Sequence, residues 1–195
     1  MQLYTVKGGG EMEHLTEADL EKAIEDVQRG DTEAYAAIVG RFQKSIFLYG
    51  LYLLRDRQEA EDAAQEILIK AFRCIHQFRG PGSFSSWLYK IAYHHCLDLL
   101  KKRNRRGHML KLYMGQRTQP EPVVYEDAVY ELLDVLNAQE KQLLLLRALE
   151  EYSYEEIGHI LDMKPATARK KYERVRKKLI QKKEGNPHAK SITLG

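Results

Sequence analysis

The most distinctive side chains in this sequence are the cations of two basic runs. Residues 101–111 carry six lysine or arginine side chains and no acid, and residues 164–183 carry ten against Glu173 alone. One such run is usually a solvated helix face. Two runs, each at the end of an apolar-patterned helix, favour a polyanion that is contacted at two places.

The second run follows a short acidic segment within SYEEIGHILDMKPATARKKYERVRKKL, residues 153–179. Ser153 and Glu156 have capping-box spacing, and Pro165 suits the first position of a new helix. A single apolar stripe continues beyond it, formed by Ala168, Tyr172, Val175 and Leu179. The pattern predicts a helix-turn-helix whose cationic second helix fits the major groove of DNA. An ordinary helical hairpin with a lysine-rich last helix is the alternative.

A third group of polar side chains is acidic. Asp62, Gln65 and Glu66 fall on one side of a helix predicted over about residues 57–76, opposite its apolar stripe. Exposed carboxylates at this spacing can meet a basic helix on a partner protein. A solvated acidic face without a partner is the alternative.

Aromatic side chains cluster directly before the first basic run. Aromatics beside cations suit single-stranded DNA, because bases stack on the rings while the cations hold the phosphates. Trp87 continues the apolar stripe of its helix, which favours core packing for that side chain. Tyr89, Tyr93 and His94 are therefore the better candidates for DNA contact.

The elements that carry these groups are all predicted to be helical, since no segment shows strand alternation. From residue 104 to about 126 the periodicity fails, and glycines and prolines appear. The sequence predicts an all-α fold of two small helical domains joined by a flexible linker, the C-terminal domain being the helix-turn-helix. The predicted segments are a flexible extension 1–15, a domain 16–106, a linker 107–126, a domain 127–184 and a tail 185–195.

Length and composition narrow the function classes. The chain has 195 residues, of which 44% are hydrophobic and 30% charged, so it should fold and stay soluble. Its apolar runs, such as residues 143–146, are too short for a bilayer, and no secretory signal is visible. We therefore expect a cytoplasmic protein without direct membrane insertion. Cys74 and Cys96 lie in apolar helical patterns and are expected to be buried thiols.

Metal binding and catalysis are not expected. His94, His95 and Cys96 are adjacent, so on a helix they point in different directions, and Asp98 adds at most a ligand pair with His94. The carboxylates form no general acid–base constellation, and the three glycines at 8–10 lack the strand and helix of a phosphate loop. We expect no catalytic residue, no cofactor, no metal and no small-molecule substrate.

Three segments together resemble bacterial sigma factors of the extracytoplasmic-function group. Residues 152–179 resemble their promoter-reading C-terminal domain. AEDAAQE at 60–66 is similar to the segment that grips core RNA polymerase. FSSWLYKIA at 84–92, followed by Asp98 and the cations at 101–103, is similar to the segment that opens the promoter. Each segment is moderately specific, and the three in this order are strongly so.

The resemblance implies a chain that binds core RNA polymerase and directs promoter-specific initiation. It implies polymerase contacts from Asp62, Gln65 and Glu66. It implies contacts to the −10 element during melting from Phe84, Ser85, Trp87, Tyr89, Tyr93, His94, Lys101, Lys102 and Arg103. It implies contacts to the −35 element from Thr167, Arg169, Lys170, Lys171, Arg174, Lys177 and Lys178. Among these last residues, Lys171 and Arg174 are expected to read bases and Lys177 and Lys178 to meet phosphates.

The sequence departs from the family pattern at three positions. Asp162 stands in the turn that often holds Gly, Lys164 stands at a cap that is often Ser or Thr, and His94 stands where Asn is frequent. These departures affect the base preference rather than the class. The family also implies an anti-sigma factor as a partner, which can hold the chain at the membrane.

Two other function classes compete with this interpretation. One is a stand-alone helix-turn-helix regulator whose N-terminal half senses a ligand or dimerises. The other is a helical adaptor that binds proteins through its acidic helix. The carboxylates at 62 and 66 discriminate among them, because a stand-alone regulator needs no polymerase grip and an adaptor needs no pair of basic faces.

Overall fold

The computed structural model describes residues 16–79, 83–114, 127–148 and 150–184, without the side chains of 107–114 and 127–129. The predicted extension 1–15, linker residues 115–126 and tail 185–195 lie outside the described residues. Within the described ranges the secondary structure is helical and contains no strand, which confirms the all-α prediction. The helices are α1 Glu17–Gln28, α2 Tyr35–Leu54, α3 Arg57–Cys74 with a 3-10 turn Ile75–Gln77, α4 Phe84–Met114, α5 Asp127–Leu133, α6 Ala138–Ala148, α7 Tyr154–Ile160 and α8 Pro165–Glu184.

By its internal contacts the chain divides into residues 1–41 and residues 42–195. This division differs from the predicted one, which fell at a linker over 107–126. The reason is that α4, from the first predicted domain, packs against α7, from the second. Elements of both predicted domains therefore belong to one compact unit.

The first unit holds α1 and the start of α2. Thr16 and Asp19 form the expected capping box: the Thr16 hydroxyl accepts the Asp19 backbone N–H, and the Asp19 carboxylate accepts the Thr16 N–H. Gly30 follows the C-cap residue of α1 and has φ 106°, a conformation that glycine adopts at little cost. Leu20, Ala23, Ile24 and Val27 are buried along one face, as their spacing predicts.

In the second unit, α3 and α4 pack through small and branched side chains. The buried face of α3 carries Ala60, Ala63, Ala64, Ile67, Leu68 and Ala71. Leu88, Ala92 and Cys96 are fully buried on α4. Burial raises the pKa of the Cys96 thiol to about 12, which keeps it protonated. Both cysteines are free, and Cys74 is partly buried.

Helix α4 is longer than the sequence indicated, because it continues without a break to Met114. The first eight residues of the predicted linker, 107–114, are therefore helical. Lysine, arginine and leucine are good helix formers, and one glycine inside a helix costs only about 1 kcal/mol, so Gly107 does not stop the helix.

The sequence pattern predicts four further helices at about 127–136, 138–149, 154–161 and 165–183, and the bounds of α5 to α8 agree with these to within three residues. Asn137 and Glu140 form a capping box at α6 that the sequence analysis did not include. A small core joins α5, the turn after it and α8 through Leu133, Leu136, Val175 and Leu179, and Tyr52 of α2 packs against it. None of the helices in the described part of the chain is both long and apolar enough to cross a membrane.

Candidate polymerase and nucleic-acid interfaces

The acidic face of α3 is exposed, as predicted. Asp62, Gln65 and Glu66 all lie on the solvent side, because Ala63, Ala64 and Ile67 take the buried side of the helix. Glu66 stands 3.7 Å from His95 Nε2 of α4. Ile69, one turn beyond Glu66, is 50% exposed, which is unusual for isoleucine and places an apolar group beside the carboxylates.

Helices α7 and α8 form the predicted helix-turn-helix. Ser153 caps α7, since its hydroxyl accepts the Glu156 N–H and the Glu156 carboxylate accepts the Ser153 N–H. The turn is tight at Gly158, where a Cβ atom would lie 2.7 Å from the Met163 carbonyl oxygen. Asp162 adopts φ 51°, the left-handed conformation that explains why glycine is frequent there.

The outer face of α8 presents most of its cations to solvent. Ala168, Val175 and Leu179 face inward, and Tyr172 is partly buried beside the ring of Tyr154. The exposed members of the predicted −35 set are Thr167, Arg169, Lys170, Arg174, Lys177 and Lys178. A row of cations opposite an apolar stripe is the arrangement that a groove-binding helix requires.

Three of these cations have partners within the chain. Lys171 is partly buried and donates to Gln139 Oε1 at 2.6 Å, whereas Lys178 pairs with Glu140 at 2.7 Å. Burial opposes ionisation of Glu140, but the hydrogen bonds from Lys178 and from the Asn137 backbone lower its pKa overall. Arg169 pairs loosely with Glu173 at 3.5 Å.

The two side chains predicted to read bases therefore differ in availability. Arg174 is exposed and has no partner among the described residues, whereas Lys171 must leave Gln139 to reach DNA. The sequence alone does not distinguish Lys171 from Arg174, because the partner of Lys171, Gln139, lies on another helix, α6.

The start of α4 is an aromatic cluster. Phe84 is buried and lies 5.3 Å from the Trp87 ring and 5.3 Å from the Phe78 ring, between centroids. Trp87 is only partly buried and also contacts Phe78. Ser85 is partly exposed at the same end. Trp87 therefore packs against Phe78 and Phe84, as the apolar stripe predicts, but part of its ring remains exposed to solvent.

Tyr89 and Tyr93, expected to be available for DNA, are instead buried. Tyr89 is 1% exposed, and its ring lies edge-on to Tyr49 and to Tyr152, each at 5.4 Å. Burial, and then the neighbouring Glu150 carboxylate, raise the pKa of Tyr89. Burial likewise raises the pKa of Glu150. For Tyr89 the physical reason is that its ring packs between Tyr49 of α2 and Tyr152, which precedes α7.

His94 remains exposed but is engaged by the helix-turn-helix. Its Nε2 lies 3.3 Å from Asp162, whose other carboxylate oxygen accepts from Lys90 Nζ at 2.7 Å. The Lys90 hydrogen bond is the main cause of the lowered pKa of Asp162. The sequence analysis missed Lys90, although its i, i+4 spacing from His94 places both on one helix face.

The basic residues that follow are divided between solvent and protein. Lys101 and Lys102 are exposed, and Lys101 lies 3.6 Å from Asp98. Arg103 is partly buried because its guanidinium donates to the Leu54 carbonyl oxygen at 2.7 Å. Among the residues described, no three His, Cys, Asp or Glu side chains are grouped so that they could hold a metal ion.

Comparison with known proteins decides the family. The sigma-70 region 2 family matches residues 38–106, and the sigma-70 region 4 family matches residues 126–179. The chain belongs to the ECF sigma factors. Region 2 of this sigma factor contains the acidic face of α3 and the aromatic face of α4, while region 4 contains the helix-turn-helix.

Several curated relatives align over nearly their whole length. The sigma factor is 31% identical to the RNA polymerase sigma-H factor of Pseudomonas aeruginosa, over 83% of this chain and 92% of that protein. It is 30% identical to the ECF RNA polymerase sigma-E factor of Haemophilus influenzae, covering 87% and 96%. It is 31% identical to the ECF RNA polymerase sigma factor SigW of Bacillus subtilis, covering 82% and 94%.

Solved structures share the fold. CnrH, in complex with the cytosolic domain of CnrY, superposes with a TM-score of 0.68 at 18% identity, over 88% of this chain and 99% of that one. The sigma factor RpoE of Bartonella quintana, in complex with the anti-sigma factor NepR, superposes with 0.66 at 18% identity, covering 78% and 98%. Because regions 2 and 4 both match, a stand-alone helix-turn-helix regulator is not favoured.

Proposed function

We propose that this ECF sigma factor binds core RNA polymerase and directs it to specific promoters, with region 2 reading the −10 element and region 4 the −35 element. The observation that carries the proposal is the presence of both regions, in order, in a chain that aligns with ECF sigma factors over most of its length. The polymerase supplies the catalysis and the sigma factor supplies the sequence preference. The site of action is then the cytoplasm.

Asp62, Gln65 and Glu66 are proposed to contact the polymerase. Two exposed carboxylates one turn apart, flanked by an exposed isoleucine, fit a basic helical surface with an apolar centre, such as the coiled coil of the polymerase clamp. Opposite charges speed the encounter and set its orientation, whereas a desolvated apolar side chain adds affinity.

Helix α8 is proposed to enter the major groove at the −35 element. Arg174 is the best-placed base reader, since its free guanidinium can donate two hydrogen bonds to a guanine edge. Thr167, Arg169 and Lys170, nearer the N-terminus of the helix, lie where recognition helices contact base edges. Lys177 and Lys178, on the last turns, are assigned to phosphates, which position the helix without reading sequence.

Helix α4 is proposed to hold the separated strand of the −10 element. Lys101, Lys102 and Arg103 supply the phosphate contacts, while Phe84, Ser85, Trp87, Tyr89, Tyr93 and His94 form the stacking and polar surface. Base extrusion requires a few kcal/mol, which contacts of this kind can offset. Tyr89 and Tyr93 are buried in the free chain, so they contribute to DNA contact only if the packing around them is released, including that of Tyr49 and Tyr152 on Tyr89.

An anti-sigma factor is the second proposed partner. CnrH and RpoE share the fold of this chain, and their structures were solved in complex with CnrY and with the anti-sigma factor NepR, respectively. An inhibitor of this kind would act by binding the sigma factor in competition with core polymerase. An anchor on the inhibitor would then hold the sigma factor at the membrane, which stays a prediction.

Run-off transcription on a library of promoter fragments tests the proposed function. Core polymerase with the sigma factor should give discrete transcripts from templates that share two upstream motifs, while core polymerase alone should not. A chain that binds duplex DNA without polymerase and creates no start site would instead be a regulator, and the proposal would fail.

A further inference from the structure

Helix α4 contacts the helix-turn-helix along one continuous face. Ser86 Oγ donates to Glu156 at 3.4 Å, the Tyr89 ring lies against Tyr152 at 5.4 Å, and Lys90 donates to Asp162 at 2.7 Å. His94, one turn further, reaches the same Asp162. These positions recur at three- and four-residue steps, so a single surface of α4 is covered over more than two turns.

Asp162 is the one carboxylate of this contact that sits in a strained backbone conformation. Its φ of 51° favours glycine, yet the residue is aspartate, and its two oxygens face the Lys90 ammonium and the His94 imidazole of α4. The pKa of Asp162 is lowered, chiefly by the Lys90 hydrogen bond, so the group is an anion at neutral pH. A two-oxygen anion held by an ammonium and an imidazole has the same ligand chemistry as a DNA phosphate.

A second contact joins the regions on another edge. Arg55 donates to the Tyr130 carbonyl oxygen at 2.9 Å and to Asp134 at 2.5 Å, and its guanidinium stacks 5.4 Å from the Tyr130 ring centroid. Arg55 is also left-handed, with φ 58°. Two non-glycine residues in this conformation thus carry the ion pairs that hold regions 2 and 4 together.

The closed arrangement is incompatible with simultaneous reading of both promoter elements. Elements near −10 and −35 are separated by about 25 base pairs, or roughly 85 Å at 3.4 Å per base pair. In the structure, side chains of α4 and α7 are in direct contact. A sigma factor on a promoter must therefore break these contacts.

Resting on the proposed function, we propose that Asp162 acts as an internal substitute for a DNA phosphate. Its carboxylate occupies Lys90 and His94, so closure of the helix-turn-helix onto α4 and binding of the single-stranded −10 element by α4 exclude each other. Lys90 is accordingly a further DNA-binding residue of region 2. The Lys90 ion pair and the His94 contact are both partly exposed and individually weak, which makes the closure reversible by a competing polyanion.

A matched pair of isosteric variants tests this inference. Asp162→Asn and Glu25→Gln each convert one exposed, ion-paired carboxylate to its amide and change the net charge equally. Asparagine also tolerates the left-handed conformation, so the turn should be retained. The probe is a fluorescent single-stranded 20-nucleotide DNA of mixed sequence, titrated with the full chain at fixed salt.

The apparent affinity scales with the open fraction of the chain, so Asp162→Asn should bind the probe about three- to fivefold more tightly than the wild type. Glu25→Gln should change the affinity by less than twofold, because its partner Arg29 has no proposed DNA contact. Adding Lys90→Gln to Asp162→Asn should abolish the gain, because the proposed phosphate ligand is lost. Circular dichroism must show the same helix content in all variants.

Equal effects of the two amide variants would overturn the inference, because net charge alone would then explain the change. A gain that survives Lys90→Gln would also overturn it. If the wild type supports run-off transcription but Asp162→Asn binds the single-stranded probe no more tightly than the wild type, only the inference about Asp162 is wrong. If no transcript forms with core polymerase, the proposed function itself fails.

Discussion

Helices α4 and α8 are both candidate DNA surfaces, but α8 is the more available of the two in the free chain. Most cations of α8 lie in solvent opposite a clean apolar stripe. On α4, by contrast, Tyr89 and Tyr93 are buried, and Lys90 and His94 are paired with Asp162. Side-chain chemistry therefore indicates which surface can bind DNA, whereas tertiary packing decides when that surface is accessible.

The chemistry of the two surfaces explains this difference. Lysine and arginine heads keep their water and resist burial, so a cationic face stays open. Tyrosine rings that stack on bases are equally suited to stack on other rings, as Tyr89 does with Tyr49 and Tyr152. An aromatic DNA surface is therefore easily covered by its own chain.

The largest effect is expected on the exposed face of α3, which is open in the free chain like α8. Asp62→Lys combined with Glu66→Lys should abolish co-purification with core polymerase, because two attractive charges become repulsive. The variant should stay folded, since both side chains are exposed.

Glu21→Lys with Glu25→Lys on α1 is the matched control. It has the same charge change and the same i, i+4 spacing on another exposed helix, and it loses only the surface pair of Glu25 with Arg29. Equal loss of polymerase binding in both variants would contradict a specific docking face on α3.

A second test concerns the turn that presents α8. Gly158→Ala places a Cβ 2.7 Å from the Met163 carbonyl oxygen, so the backbone must shift. We expect a loss of about 1–3 kcal/mol in the free energy of unfolding. Gly40→Ala, with no atom within 4 Å of the added Cβ, should be neutral or stabilising by about 0.5–1 kcal/mol. Denaturant titrations of both variants check this, and equal stability changes would contradict it.

On α8 itself, Arg174→Ala should weaken binding to the preferred −35 sequence by about 1–3 kcal/mol and relax the preference at one base pair. Lys177→Ala should weaken binding to all sequences alike, as expected for a phosphate contact. Binding curves on matched and mutated duplexes distinguish the two. Uniform loss with Arg174→Ala would make Arg174 a phosphate contact as well.

The smallest effect is expected where α4 faces α3. Burial lowers the pKa of His95 from 6.5, assisted by Lys70 and Lys102 and opposed by Glu66. The unfolded chain then binds the proton more readily, so the stabilising contribution of neutral His95 is complete above pH 6.5 and is lost as the pH falls below it. His95→Gln should remove this part of the pH dependence of unfolding. An unchanged pH profile would show that His95 does not titrate as described.

The sequence predicted the local features well because they depend on neighbouring residues. Ser153 with Glu156, Pro165 and the stripe at 168–179 are enough to place α7 and α8. The exposed acids of α3 follow from the same helical period. Each of these predictions uses contacts within one or two turns.

Other features could not be predicted because they depend on residues far apart in the chain. Lys171 is held by Gln139, 32 positions away, and Lys90 by Asp162, 72 positions away. Asp162 was noticed as a departure from glycine, but its two cationic partners belong to another helix. The continuation of α4 through residues 107–114 was not predicted, because the apolar periodicity fails there and glycines and prolines appear over 104–126.

The comparison between α4 and α8 is tested most directly by a distance measured with and without core polymerase. Spin labels on cysteines at exposed Lys70 of α3 and Arg176 of α8, in a Cys74→Ser, Cys96→Ala background, report the separation of regions 2 and 4. We expect one short label-to-label distance in the free chain, and an increase of this distance on the order of tens of ångströms when the chain is bound to the polymerase. The same distance distribution in both samples would contradict it.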